Sequence, residues 1–209
     1  MKKLLSFRLG AVLLSASLLL ASCDDEDEGL LIQPHDQNKM MAIMHGMMDE
    51  MEAMTMNEDP DITFARMMIM HHQGAIDMSN EELSTGDDAT TKAMAQKIKD
   101  EQQKEIAELQ AFISSYQPDQ PADNAFNMEL MNSMEKSGKQ SDLEVLTGDT
   151  DQDFSHLMIV HHQSAIENSR SVMEHGTSAE IKEMAHMMIN AQMAEIKELQ
   201  EWLLANKSY

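Results

Sequence analysis

From Asp61 onward the apolar positions of the chain fall into a helical rhythm. Phe64, Met68, His71, Ala75 and Ser79 follow one another at steps of three and four. That spacing gathers side chains on one face of an α-helix. Met94, Ile98, Gln102, Glu105 or Ile106, Leu109 and Ile113 repeat the pattern, as do Met184, Met188, Gln192, Glu195 or Ile196, Leu199 and Leu203. Asp61 and Asp151 stand near two helix starts, where a negative side chain suits the unpaired amides. Gly86 and Gly176 fit helix stops, and Asp88 and Ser178 fit the caps of the helices after them. A shorter helix is expected before each pair. One covers Met40 to Met54, with Met40, Met44, Met47, Met51 and Met54 on a stripe; Met128, Met131 and Met134 mark the other. Pro118 and Pro121 lie in a linker between halves, Gly138 to Thr150 reads as a loop, and no stretch carries a convincing strand pattern.

The rhythm occurs twice. Residues 61–113 align with 151–203 at an offset of ninety without a gap, with about two-fifths of the positions identical. An ungapped match of that length is the mark of internal duplication. Each copy reads as two helices joined by a short turn, and each alone would leave an apolar stripe uncovered. The expected fold is therefore all-α: an antiparallel four-helix bundle made from two tandem helix pairs, with short accessory helices, in a single domain over 39–209.

The first residues belong to something else. Lys2, Lys3 and Arg8 precede an apolar run, Leu9 to Leu20, that is short for a membrane span of about 20 residues. Leu20-Ala21-Ser22-Cys23 resembles a bacterial lipoprotein box, which implies a signal peptide over 1–22 and lipidation of Cys23. The alternative is an ordinary secretory signal with an incidental cysteine. Residues 23–38 read as an acidic tether, with "DDEDE" at 24–28. The expected location is the bacterial cell envelope, anchored by lipid on the periplasmic face or at the cell surface. With one cysteine in 209 residues, no intramolecular disulfide and no multi-thiolate site can form. A formal net charge of −22 argues against nucleic acid as a partner.

Two composition facts change the picture of the core. Methionine supplies 23 residues, and each half carries adjacent histidines followed by glutamine: "MHHQGAIDMS" at 70–79 and "VHHQSAIENS" at 160–169. Adjacent helical residues point about 100° apart, so His71 and His72 cannot share one direction, nor can His161 and His162. Met68 and Met158 lie one turn before each pair, and Met67 lies four before His71 where the second half has Leu157. Gln73 and Gln163 follow the pairs. Gln102 and Gln192 interrupt an apolar stripe one turn before Glu105 and Glu195; buried, they need partners, and the histidine layer of a facing helix is the simplest source. Such a network can fix bundle register without binding anything. It can also hold a metal. Imidazole suits several transition metals, and thioether selects Cu(I), so copper ranks first, with other transition metals open. His45, between Met44 and Met48, is a further candidate, although the methionine stripe there equally suits core packing. H-E-x-x-H is absent, and the Glu183–His186 spacing has no counterpart at Ala93 and Gln96.

"DITFARMMIMHHQGAIDMS" and "DQDFSHLMIVHHQSAIENS", each followed by "QxxEIxELQ", resemble the domain-of-unknown-function 305 family over about Met40 to Leu204. The resemblance implies a ferritin-like helical bundle and, for some members, copper binding in the cell envelope. It points to His71, His72, His161, His162, Met68, Met158, Gln102 and Gln192, and it brings no enzyme activity. Ser164 and Asn168 stand where the first half has Gly74 and Met78. Three functions follow as expectations: an envelope lipoprotein that binds copper as buffer or chaperone, a lipid-anchored helical module with a structural polar layer that docks an unidentified protein, or a metal-dependent oxidoreductase.

Overall fold

The computed structural model describes residues 31–207. The expected signal peptide over 1–22, Cys23 and the "DDEDE" run lie outside the described residues. Six helices follow: α1 (Lys39–Glu52), α2 (Pro60–Thr85), α3 (Ala89–Ser115), α4 (Asn124–Ser141), α5 (Thr150–His175) and α6 (Ala179–Ala205). Among the described residues there is no strand, and no helix is long and apolar enough to cross a membrane. The repeat is literal: α2 and α5 have 26 residues each, α3 and α6 have 27 each, and both pairs begin ninety positions apart.

Packing follows the apolar faces. Helix α2 lies against α3 and α5 against α6, while α2 and α5 run side by side through the centre; α1 covers α2 and α4 covers α5. Phe64, Phe154, Met67, Met68, Leu157, Met158, Leu109 and Leu199 are fully buried along this seam. Each such side chain withdrawn from water contributes about 1.5–3 kcal/mol. The methionines of α1 join the same core: Met40, Met41, Met44, Met47 and Met51 are buried, and Met54 is half-buried beyond the helix end.

The structure corrects several local expectations. Asp61 and Asp151 do lie in the first turns of α2 and α5, but the side chains that cap those helices are Asp59 and Asp149. Asp61 and Asp151 instead each tie down the turn of the other pair. Asp61 accepts from the amides of Thr177 (2.9 Å) and Ser178 (3.0 Å), and Asp151 from those of Asp87 (3.0 Å) and Asp88 (3.1 Å). Antiparallel packing brings the start of one pair beside the turn of its mate, so the free amides of that turn find a carboxylate there. On α4 the exposed Met128 and Met131 face away from the core, which is entered by Phe126, Leu130 and Met134. That helix also runs through Gly138 to Ser141, with the end of the Met48 side chain of α1 packed against Gly138. The loop proper begins at Asp142, and its Gly148 has φ +81°, the one positive value among the described residues.

The end of the expected tether is docked. The amide of Gln33 bonds the carbonyl of Leu146 (2.7 Å), His35 donates to the carbonyl of Glu144 (2.9 Å), and buried Asn38 reaches Asp153 (2.6 Å) while capping α1. Asp153 also accepts from the amides of Thr147 and Gly148.

Candidate metal centre

The four central histidines sit on the two central helices, and burial is complete for all: His71 is 1% exposed, and His72, His161 and His162 are 0%. Their 100° divergence splits them by direction. His71 and His161 face each other across the α2–α5 seam with ring centroids 3.7 Å apart. His72 and His162 turn toward the outer helices. His72 Nε2 lies 2.9 Å from Glu105 Oε2 on α3, and His162 Nε2 lies 3.1 Å from Glu195 Oε2 on α6. Both distances suit charge pairing, but the groups are out of line for a directed hydrogen bond.

The state of the inner pair follows from its surroundings. Burial and the neighbouring imidazoles hold His71 and His161 well below the ordinary histidine range, so both are neutral near pH 7. His161 Nε2 is 2.8 Å from the carbonyl oxygen of His71. A carbonyl only accepts, so Nε2 carries the proton and Nδ1 holds the lone pair. That Nδ1 is buried without a partner, as are both ring nitrogens of His71 and the Nδ1 atoms of His72 and His162.

The outer pairs are more polar. Burial works against ionisation of Glu195, but the His162 imidazole 3.1 Å away outweighs it, and its carboxyl is held below the ordinary range. Glu101, half-buried one turn before Glu105, has its carboxyl against that of Glu195; burial and that neighbour raise it. Gln102 and Gln192 are each 1% exposed, with Gln102 Oε1 and both amide atoms of Gln192 unpartnered. The expected histidine layer thus pairs with the glutamates, not with the glutamines.

Other candidate residues lie elsewhere. Met67, Met68 and Met158 are fully buried, and Met67 Sδ takes a 3.8 Å contact from Asn168 Nδ2 of the other half. His45 is on the surface, 2.9 Å from Asp142 Oδ1 with 47% of its side chain exposed. Met44 is buried in the core and Met48 packs on Gly138, so these three do not form a set. Gln73 points outward, donating to Asp77 (2.9 Å), because it stands a further 100° round from His72. Gln163 is half-buried in a surface groove with Lys136 and Met193. Glu101 was not among the sequence candidates: its repeat partner is Ala191, so the duplication does not mark it. Its place four before Glu105 was the available signal.

The donor types suit a transition metal: buried imidazole nitrogens without hydrogen-bond partners, carboxylates facing two of the rings, and methionines three or four positions before His71 and His161. Among the described residues no three His, Cys, Asp or Glu side chains converge as a ready-made cage. Binding therefore requires side chains to turn within the layer.

These features define a class: an all-helical bundle built from a doubled helix pair with a buried histidine–glutamate layer at mid-length. The chain belongs to the DUF305 family, whose description is a domain of unknown function and whose sequence model matches residues 18–113 and 61–203. A crystal structure of a DUF305 fragment from Deinococcus radiodurans is similar, with a TM-score of 0.54 at 19% identity, covering 73% of this chain and 100% of that one. At that identity the likeness speaks for the fold alone. No curated protein matches the chain.

Proposed function

We propose that this protein binds copper as Cu(I) at its histidine layer and acts as a buffer or chaperone in the bacterial cell envelope, anchored through Cys23. One observation carries the metal reading: His161 donates Nε2–H to the carbonyl of His71, which leaves its Nδ1 lone pair buried and unused. Metal-binding histidines characteristically give their other N–H to a backbone carbonyl or carboxylate, which sets tautomer and ring direction. His71, also neutral and unpartnered, stands beside it, and the buried thioethers of Met67, Met68 and Met158 lie within one turn of the histidines. Such soft donors favour Cu(I). The envelope location rests on the lipoprotein-like Leu20–Cys23 sequence.

The test is a Cu(I) titration of the full chain against a chromophoric chelator, beside a variant with His71, His72, His161 and His162 all changed to glutamine. The variant should lose the high-affinity copper and keep its helix content. A second reading is favoured by the lack of a converged cage among the described residues: the layer fixes bundle register in a lipid-anchored module that docks a protein. It predicts that the variant loses stability and binds as much copper as before.

A further inference from the structure

Outside the central layer, the contact between α4 and the end of α5 is built around one imidazole. His175, the last residue of α5, places Nδ1 2.8 Å from Asp123 Oδ2 and Nε2 3.3 Å from Glu129 Oε1. Both partners belong to the start of α4. Asp123 caps that helix through the amides of Ala125 (2.8 Å) and Phe126 (3.3 Å), and Glu129 also takes the Ser171 hydroxyl. The ring of His175 lies beside that of Phe126, with centroids 5.6 Å apart, and Phe126 is the first buried residue of α4. Gln120, in the linker between the halves, donates to the carbonyl of His175 (3.3 Å). One residue therefore meets the linker, the cap of α4 and the first core ring of that helix.

This arrangement suits a doubly protonated ring. A carboxylate only accepts, so a nitrogen bonded to one carries a proton, and His175 has a carboxylate at each nitrogen. A neutral ring would turn one lone pair toward an anion. The C-terminal end of α5 also favours a cation, and the N-terminal end of α4 an anion. The Asp123 bond lifts His175 above the ordinary histidine range against its partial burial, and Glu129 adds to the lift. Asp123 and Glu129 are held below the ordinary carboxylate range, Asp123 chiefly by His175 and Glu129 chiefly by the Ser171 hydroxyl. The other charged groups nearby are Asp61 and Asp119, which both bond Thr177, and Lys136, Arg170 and Glu174, which line the α4–α5 groove with Glu129. The first half has no counterpart: Thr85 stands ninety positions before His175 and bonds the carbonyl of Glu81 (2.9 Å). The start of α1 is fastened by Asn38, an amide that does not titrate.

We propose that His175 is a pH-operated latch: as an imidazolium it fastens the linker and the first turns of α4 to the end of α5, and loss of its proton releases them. Release leaves Asp123 capping α4 but removes the tie between the two helices. It uncovers the Phe126 side of α4 and widens the groove between α4 and α5. A folded pKa above the unfolded one makes the contribution of the latch complete below about pH 6.5 and lost as pH rises through the folded value. Helix α4 covers α5 from outside the α2–α3–α5–α6 bundle, so the bundle stays folded when the latch opens. This proposal does not rest on the copper reading.

The test is hydrogen–deuterium exchange of the full chain at about pH 5.5 and about pH 9, on either side of the histidine range, with rates corrected for the intrinsic effect of pH. Relative to α1, residues 119–130 should exchange several-fold faster at the higher pH. His175→Gln should remove that step and exchange fast at both values. His175→Lys, which keeps a positive charge to about pH 10, should exchange slowly at both. The His175 ring, followed by NMR in wild type, should titrate above about 6.5. Equal protection of 119–130 at both pH values in wild type, a step that persists in either His175 variant, or a ring that titrates at or below that value would overturn the latch. Should His175→Gln lose helix content, Glu129→Gln, at a half-exposed side chain, decides: it should shrink the step, and an undiminished step overturns the proposal.

Discussion

Helix pair 60–115 and helix pair 150–205 share their lengths, their turns and the positions of His-His, Gln and Glu, yet Glu82 of the first stands where the second has Val172. Glu82 is fully buried, and neither of its oxygens has a hydrogen-bond partner. Burial, with Asp151 beside it, pushes its carboxyl up to about 8. Asp151 goes the other way: burial opposes ionisation, but the Thr91 hydroxyl and the amides of Asp87 and Asp88 hold it at about 2. At the opposite end Asp61 makes the same amide contacts without an acid neighbour in the Val172 place, and with the Tyr116 hydroxyl 3.2 Å away. The ends of the two halves have diverged in chemistry, while the middle layer repeats His-His, Gln and Glu in both and differs at Glu101, where the second half has Ala191. Each end of the bundle is held by its own crossed set of hydrogen bonds, Asp61 on the turn after α5 and Asp151 on the turn after α2, so the two ends can differ. The middle joins both halves and has less freedom to differ.

The largest effect should come from the shared core. Phe64→Ala and Phe154→Ala should each cost about 3–5 kcal/mol in urea unfolding, since both remove a fully buried ring. Markedly unequal losses would break the equivalence of the halves.

The crossed carboxylates separate the two halves more finely. Asp61→Ala and Asp151→Ala each strand two backbone amides and should cost about 1–3 kcal/mol. Asp151→Ala should cost less, because it also removes the charge that raises Glu82.

Glu82 gives the halves different pH behaviour. Its folded pKa is above the unfolded value of about 4.3, so between that pH and about 8 the folded chain holds more proton than the unfolded. This group therefore stabilises most below about pH 4.3, and that stability is lost as pH rises through about 8. Glu82→Val, which copies the second half, should gain about 1–3 kcal/mol at pH 8 and flatten the melting temperature across that interval. An unchanged pH profile would remove Glu82 as its source.

The smallest effect is expected outside the repeat. His45→Ala breaks an exposed pair with Asp142 and should change stability by no more than about 0.5 kcal/mol, with copper uptake unaltered. Loss of copper in this variant would move the site to α1.

The helices and the histidine–glutamate layer were legible because they repeat. Apolar periodicity marked the faces of α2, α3, α5 and α6, and duplication singled out His71, His72, Glu105 and their mates from ordinary core residues. What the sequence hid was direction. Asp61 and Asp151 look like local caps, and only antiparallel packing hands each to the other pair's turn. The methionines of α4 mark a helix correctly, but Met128 and Met131 stand on its outer face. Gln73 follows His72 in sequence and leaves it in space. Glu101 and Glu82 occur in one half alone, so repetition could not reveal them.

Whether the histidine layer holds copper is decided most directly by metal analysis of the full chain purified from copper-supplemented cells. Zinc and iron are measured in the same samples, beside the variant with His71, His72, His161 and His162 changed to glutamine. Copper should be retained by wild type and lost from the variant, with helix content unchanged. Equal copper in both proteins, or none in wild type, would contradict copper binding at this layer.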